Sequence, residues 1–194
     1  MKYLILPITT LFFALYLSAA HAYTPYSHRF MDRVDPARQI QEAVNELEKF
    51  NQGHDKVHPA MLKSFLQNKI FPHFDFDAMS RWITGPYARQ MTIENKKEFQ
   101  SALKETFLGA LVKHMGGFDP GTTTLRYLRT HYPHHDEAIV TVRVFRKNMP
   151  PATLKFDMHA TDGAWRIVDV KANGTSAVLY YRQHFIAKLR GYGQ

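Results

Sequence analysis

A change of hydrophobic period near residue 120 limits what this chain can fold into more than any other feature. Before it, apolar residues recur at helical spacing: Ile40, Val44 and Leu47, then Leu62, Phe65, Leu66 and Ile70, then Phe99, Leu103, Phe107, Ala110 and Leu111. After Asp119-Pro120-Gly121 they alternate, with Val140, Val142 and Val144 on one face. Leu154, Phe156 and Met158 then alternate with Lys155, Asp157 and His159. The first pattern buries one stripe of a helix and the second buries one face of a strand. A block of helices followed by a block of sequential strands predicts an α+β fold with an antiparallel sheet.

The punctuation places the elements. Asp35-Pro36 opens a first helix that Gly53 ends, and His58-Pro59 opens a second that Pro72 stops. Asp75 or Asp77 caps a third helix ending at Gly85-Pro86, and Thr92 caps a longer fourth ending at Gly116-Gly117. Four strands follow: Thr123 to Tyr132, Ile139 to Arg146, one through Leu154 to Met158, and one from Trp165 reached across the hairpin signal Asp162-Gly163. Asn173-Gly174 then turns the chain, and Thr175 or Ser176 caps a closing helix carrying Tyr180, Tyr181, His184, Phe185 and Lys188. The expected architecture is N-terminal helices packed on a curved four-stranded antiparallel sheet, with a closing C-terminal helix.

Residues 1–22 stand apart. Lys2 precedes an apolar run from Tyr3 to Leu17, and Ala20-His21-Ala22 fits the small-x-small cleavage rule, so residues 1–22 read as a signal peptide. Residues 23–194 then form a single domain of an exported protein. The chain contains no cysteine, which excludes disulfides, thiol-ligated metals and lipid attachment through a thioether. With 25 Lys+Arg against 17 Asp+Glu, its formal charge is +8. In an exported chain that excess points away from nucleic acid and toward anionic headgroups or an acidic protein.

Few constellations carry chemistry. His131, His134, His135 and Asp136 look metal-like, but Pro133 puts them on a loop where neighbouring side chains diverge, and a closed site needs four convergent ligands. Asp75 and Asp77 could pair for acid–base work, although helix capping accounts for one of them. Asp169 with Tyr181, Arg182 or His184 could make either a polar pocket group or an ion pair that orients the last helix. No nucleophile elbow, phosphate loop, zinc-protease motif or dinucleotide fingerprint is present. Large aromatics recur at nearly every boundary, which suits either an aromatic core or an apolar-lined cavity.

Two blocks resemble a known family. The first, FPHFDFDAMSRWITGPYARQMTIENKKEFQSALKETFLGALV, is similar to the middle of the MlaC family of periplasmic phospholipid carriers, with Asp75, Phe76, Met79, Gly85, Tyr87, Arg89, Thr92 and Phe99 at its patterned positions. The second, WRIVDVKANGTSAVLYYRQHF, supplies Trp165, Asp169, Val170, Gly174, Ser176, Tyr181, Arg182 and Phe185. The resemblance spans roughly Pro59 to Gly191. The family often has a second bulky aromatic where Ala88 stands, and it usually continues past the position of Phe185 into a further helix.

The resemblance implies a non-enzymatic carrier whose helices and sheet enclose an apolar cavity for the acyl chains of a phospholipid. It also implies transient membrane contact, an inner-membrane ABC transporter complex and an outer-membrane lipoprotein–porin complex as partners, and a role in outer-membrane lipid asymmetry. No cofactor or metal is implied beyond the lipid cargo. The expected acyl contacts are Phe71, Phe74, Met79, Trp82, Phe107, Leu111, Phe145, Phe156, Val170 and Tyr181, with Arg89 and Arg182 at the headgroup or mouth. The alternatives are a binder of another apolar ligand such as a hopanoid, an enzyme using Asp169 on a hydrophobic substrate, and a lipid-free structural subunit.

Overall fold

Caps and turn residues set the element boundaries in the computed structural model, which describes residues 35–52, 58–115 and 121–191. Helix α1, Pro36–Gln52, starts where the Asp35 carboxylate accepts the Ala37 N–H at 3.0 Å. The His58 ring accepts the Ala60 N–H at 3.3 Å to open α2, Pro59–Phe65. Asp75 rather than Asp77 caps α3, Phe76–Thr84, accepting the Ala78 N–H at 2.8 Å. Thr92 caps α4, Ile93–Met115, through the Asn95 N–H at 3.1 Å. Each cap satisfies an amide that the first turn leaves unpaired. The leader, and the helix ends expected at Gly53 and Gly116-Gly117, lie outside the described residues. No helix among the described residues is long and apolar enough to cross a membrane.

Between α2 and α3 the chain departs from regular helix. Leu66–Ile70 forms a π turn and Phe71–His73 a 3-10 turn, with Pro72 at the start of the latter. Phe74 then runs alongside the last long strand, and the Asp75 N–H donates to the Ile167 carbonyl at 2.9 Å.

The sheet is an antiparallel meander in the order β1-β2-β3-β4-β5. Its strands are β1 Thr123–Tyr127, β2 Glu137–Arg146, β3 Ala152–Thr161, β4 Ala164–Ala172 and β5 Thr175–Ser176. Two expectations need correction here. The sheet has five strands rather than four, because Thr175 and Ser176 pair with Ala172 and Lys171 before the chain enters α5, Ala177–Gly191. Strand β1 ends at Tyr127 rather than Tyr132. Its inward positions run Thr123, Leu125 and Tyr127, and continuing would aim Arg129 and His131 at the core, so the chain leaves the ladder after the Leu128 N–H bonds the Thr141 carbonyl and bridges to β2 again at His131. The tight turns Asp162-Gly163 and Asn173-Gly174 both have two positive φ values, 51° and 80°, then 49° and 88°. That is the type I′ geometry whose twist matches the flanking strands.

Register defines the inner face. Tyr127, Val142, Leu154 and Ala172 form one row across the strands, Val140, Phe156 and Val170 the next, and Ala138, Met158 and Ile167 a third. Asp157 faces Asp169 while Met158 faces Ile167, so Val168 is the extra residue of a β-bulge. Without it Ile167 and Val170 would point to opposite faces; with it both face inward.

Three buried clusters fill the space between sheet and helices. Ile40 of α1 packs on Ala138, Val140, Val142, Met158, Trp165 and Ile167. Phe76, Met79 and Ile83 of α3 meet Leu103 and Phe107 of α4 and Val178 of α5. Leu47, Leu62, Leu66 and Leu108 form the third. Half-buried residues join them: Phe74 and Val170 touch the first two, and Phe71 and Leu111 the last two.

Candidate functional site

The junction of these clusters is a group of four phenylalanine rings. Phe71 comes from the 3-10 turn, Phe74 from the segment at the edge of β4, Phe76 from the first turn of α3, and Phe107 from the middle of α4. All six ring pairs lie with centroids 4.7 to 6.3 Å apart. Tilted and edge-on contacts at such separations each contribute about 0.5–1.5 kcal/mol beyond area burial. Tyr181 of α5 adds its ring 6.4 Å from Phe107. Burial, with Tyr180 second, pushes its phenol above the ordinary 10.0, which keeps the group neutral at physiological pH.

The outer side of this ring group opens into a cavity of about 560 Å³, within the ~300–1,000 Å³ range of small-molecule sites. Phe71, Phe74 and Phe76 form its apolar floor. Gln67, Gln100 and Lys104 from the helices and Thr161 and Arg166 from the sheet form a polar rim, beside Pro72, Asp75 and Asp77. A smaller cavity of about 210 Å³ lies between α3 and the start of α4.

Seven of the residues expected to contact acyl chains meet in one place. Met79 and Phe107 are buried in the second cluster, and Phe71, Phe74, Leu111, Val170 and Tyr181 pack against it. Phe156 stands directly opposite Val170 on the inner sheet face. Two residues sit elsewhere. Trp82 is 40% exposed beside the buried stripe of α3, edge-on to the His159 ring of β3. Phe145 shares the outer-face parity of Arg143, whose guanidinium lies 5.4 Å from its ring.

The expected headgroup residues do different jobs. Arg89 is exposed at the end of the 3-10 turn Gly85–Arg89. Arg182 donates to the Trp82 carbonyl at 3.3 Å, neutralising the C-terminal end of α3 and tying α5 to it. Gly85 permits this: its φ is 54°, and a Cβ there would stand 3.2 Å from the Arg182 guanidinium. Asp169 is buried, and its carboxylate accepts the Ser176 hydroxyl at 2.6 Å and the Val178 N–H at 3.1 Å. It therefore fixes the β4–α5 join. The loop histidines do not converge: among the described residues, no three His, Cys, Asp or Glu side chains come together as metal ligands.

Sequence reasoning missed the rim. Gln100 and Lys104 lie one turn apart on α4, flanking the Leu103–Phe107 stripe, a position that helical periodicity alone could have marked. Arg166 faces away from the inner row, so only the path of Phe71–His73 past β4 brings it to the cavity, where it donates to the Pro72 carbonyl.

No curated protein matches the sequence significantly. Seven chains among solved structures do. One is a phospholipid-binding protein from Ralstonia solanacearum, solved in complex with a phospholipid; it superposes with a TM-score of 0.74 at 17% identity, covering 82% of this chain and 90% of that one. Its likeness establishes the shared fold. Residues 38–193 match the family described as MlaC protein, and the chain belongs to that family.

Proposed function

We propose that this protein is a periplasmic carrier that binds a phospholipid by its acyl chains and moves it between an outer-membrane complex and an inner-membrane ABC transporter, without catalysing a reaction. The observation that carries the proposal is the phenylalanine group, whose rings belong at once to the helix–sheet interface and to the floor of the 560 Å³ cavity. Chains entering from that cavity pass between aromatic rings and meet Met79, Leu111, Val170 and Tyr181 behind them. Membership of the MlaC family and the phospholipid held by the Ralstonia solanacearum protein support the same reading.

The energetics suit a carrier. At ~0.8 kcal/mol per buried CH₂, two long acyl chains gain on the order of 25 kcal/mol on leaving water. A bilayer offers nearly the same gain, so exchange between membrane and protein is close to balanced. Direction then comes from the partners, and the formal +8 charge favours encounter with acidic surfaces.

The test is native mass spectrometry of the protein purified from a bacterial periplasm, followed by extraction and lipid identification. A stoichiometric phospholipid is expected. A reproducibly empty protein that also fails to take up phospholipid from vesicles refutes the proposal.

A further inference from the structure

We infer that the rim of the larger cavity is a phosphate clamp, with Lys104 of α4 and Arg166 of β4 gripping the phosphodiester of the lipid whose chains the phenyl floor admits. The inference rests on the carrier reading and adds to it a headgroup subsite built from residues that no sequence motif marks.

The argument is one of uncommitted charge. The rim carries acids and bases, and each acid already has a partner, although the Asp75 cap leaves its charge in place. The Asp75 carboxylate caps α3 through the Ala78 N–H. Asp77 pairs with Arg81 one turn on. Glu105, next to Lys104 in sequence, is held by Lys63 at 2.9 Å. Lys104 itself makes no ion pair among the described residues; its ammonium lies 5.6 Å from the centroid of the Phe76 ring. Arg166 spends one nitrogen on the Pro72 carbonyl, and a guanidinium has five N–H donors in a planar fork suited to phosphate oxygens. With Asp77 offset by Arg81, the one remaining carboxylate, Asp75, stands against Lys104 and Arg166, so the balance at the rim is a single positive charge supplied by two elements above a floor of phenyl rings.

Such a site fits one chemical class: an amphiphile with an anionic phosphate joined to apolar chains. The phosphate gains charge-assisted hydrogen bonds from two cations at the cavity mouth. The chains supply the affinity and the clamp supplies discrimination, because a neutral lipid entering the same mouth leaves both cations unpaired.

The experiment equilibrates delipidated full-length protein with detergent micelles containing equal dipalmitoyl phosphatidylglycerol and dipalmitoylglycerol, which share their chains and differ in the phosphate. Native mass spectrometry reads the bound species, and soluble glycerol phosphate is added as a competitor. The wild type is expected to take phosphatidylglycerol over diacylglycerol by at least about tenfold. Lys104→Gln and Arg166→Gln are each expected to erode that preference by about tenfold while diacylglycerol uptake, the control for folding, is unchanged. If Arg166→Gln fails to fold, because it also holds Pro72, the exposed Lys104 decides alone. Equal uptake of the two lipids by the wild type, or equal loss of both in Lys104→Gln, overturns the clamp and leaves the carrier reading standing. Competition by glycerol phosphate at lipid concentrations marks a free-phosphate site and overturns it too. A wild-type protein that takes up neither lipid overturns the carrier reading, and the clamp with it.

Discussion

Replacing Phe107 by alanine separates a lipid-lined space from an ordinary core. Phe107 is 5% exposed and stands among Phe71, Phe74, Phe76 and Tyr181 at centroid distances of 5.3 to 6.4 Å. Removing such a ring costs about 3–5 kcal/mol. Part of that loss is the void: a cavity on the order of 100 Å³ costs about 2.4 kcal/mol at ~24 cal/mol per Å³. An acyl chain lying against this wall can occupy the vacated volume, which returns most of the void contribution when lipid is bound. The neighbouring Leu108 is the control. It is 1% exposed and turns into the other cluster, with Leu47, Leu62 and Leu66, so Leu108→Ala costs about 2–5 kcal/mol with or without lipid. Urea unfolding of wild type and both variants, delipidated and loaded at equal excess lipid, gives the comparison. Loading stabilises every form by mass action, so the quantity to read is the difference between variant and wild type in each state. Phe107→Ala is expected to lose about 2 kcal/mol less when loaded than when empty. An identical loss in both states, matching the behaviour of Leu108→Ala, refutes the placement of lipid against this ring.

Two further outcomes follow from the β4–α5 join and from the 3-10 turn that carries His73. Asp169→Ala removes the acceptor of the buried Val178 N–H and the Ser176 hydroxyl and is expected to cost about 1–3 kcal/mol. Asp169→Asn keeps an acceptor oxygen and costs less; equal destabilisation in thermal unfolding counts against a joining role. Burial, with the Arg166 guanidinium second, holds the His73 imidazole below its ordinary 6.5 against the raising effect of Glu46 and Glu42. With a lowered folded value, the unfolded chain takes up a proton that the folded chain refuses, so the contribution is complete above pH 6.5 and is lost as pH falls below it. Wild-type stability is therefore expected to fall more steeply than that of His73→Gln on acidification through that range. Parallel profiles refute the assignment.

Local chemistry made the element boundaries legible. Asp35-Pro36, His58-Pro59, Asp75 and Thr92 each act as expected because a cap needs only its own backbone neighbours. The positive φ values at Asp162-Gly163 and Asn173-Gly174 are likewise written in residue type. The long-range placements were less legible. Alternation gives two faces but does not say which one the helices cover, so Phe156 and Phe145 looked equivalent although the register puts them on opposite faces. The bulge at Val168 resets the parity of β4, and nothing in the run Ile167-Val168-Asp169-Val170 announces it. The position of Trp82 was hard to read for a similar reason. It lies in a helix with hydrophobic neighbours, yet Phe76, Met79 and Ile83 already fill the inward stripe, and Trp82 falls beside it.

How a closed ring group admits a chain depends on what holds each ring. Phe74 is fixed by the Asp75–Ile167 hydrogen bond at the sheet edge. Phe76 sits in the capped first turn of α3, and Phe107 lies near the middle of a 23-residue helix. Phe71 differs: it follows a π turn and opens a 3-10 turn, where helical hydrogen bonds have their poorest geometry. Its neighbours Pro72 and His73 are tethered through side chains, by Arg166 and Gln39 respectively. Phe71 keeps two backbone hydrogen bonds, its N–H to the Leu66 carbonyl and its carbonyl from the Phe74 N–H. Phe71 lines the same cavity as Arg166 and Lys104, so any shift of this irregular turn reshapes the floor that the rim surrounds.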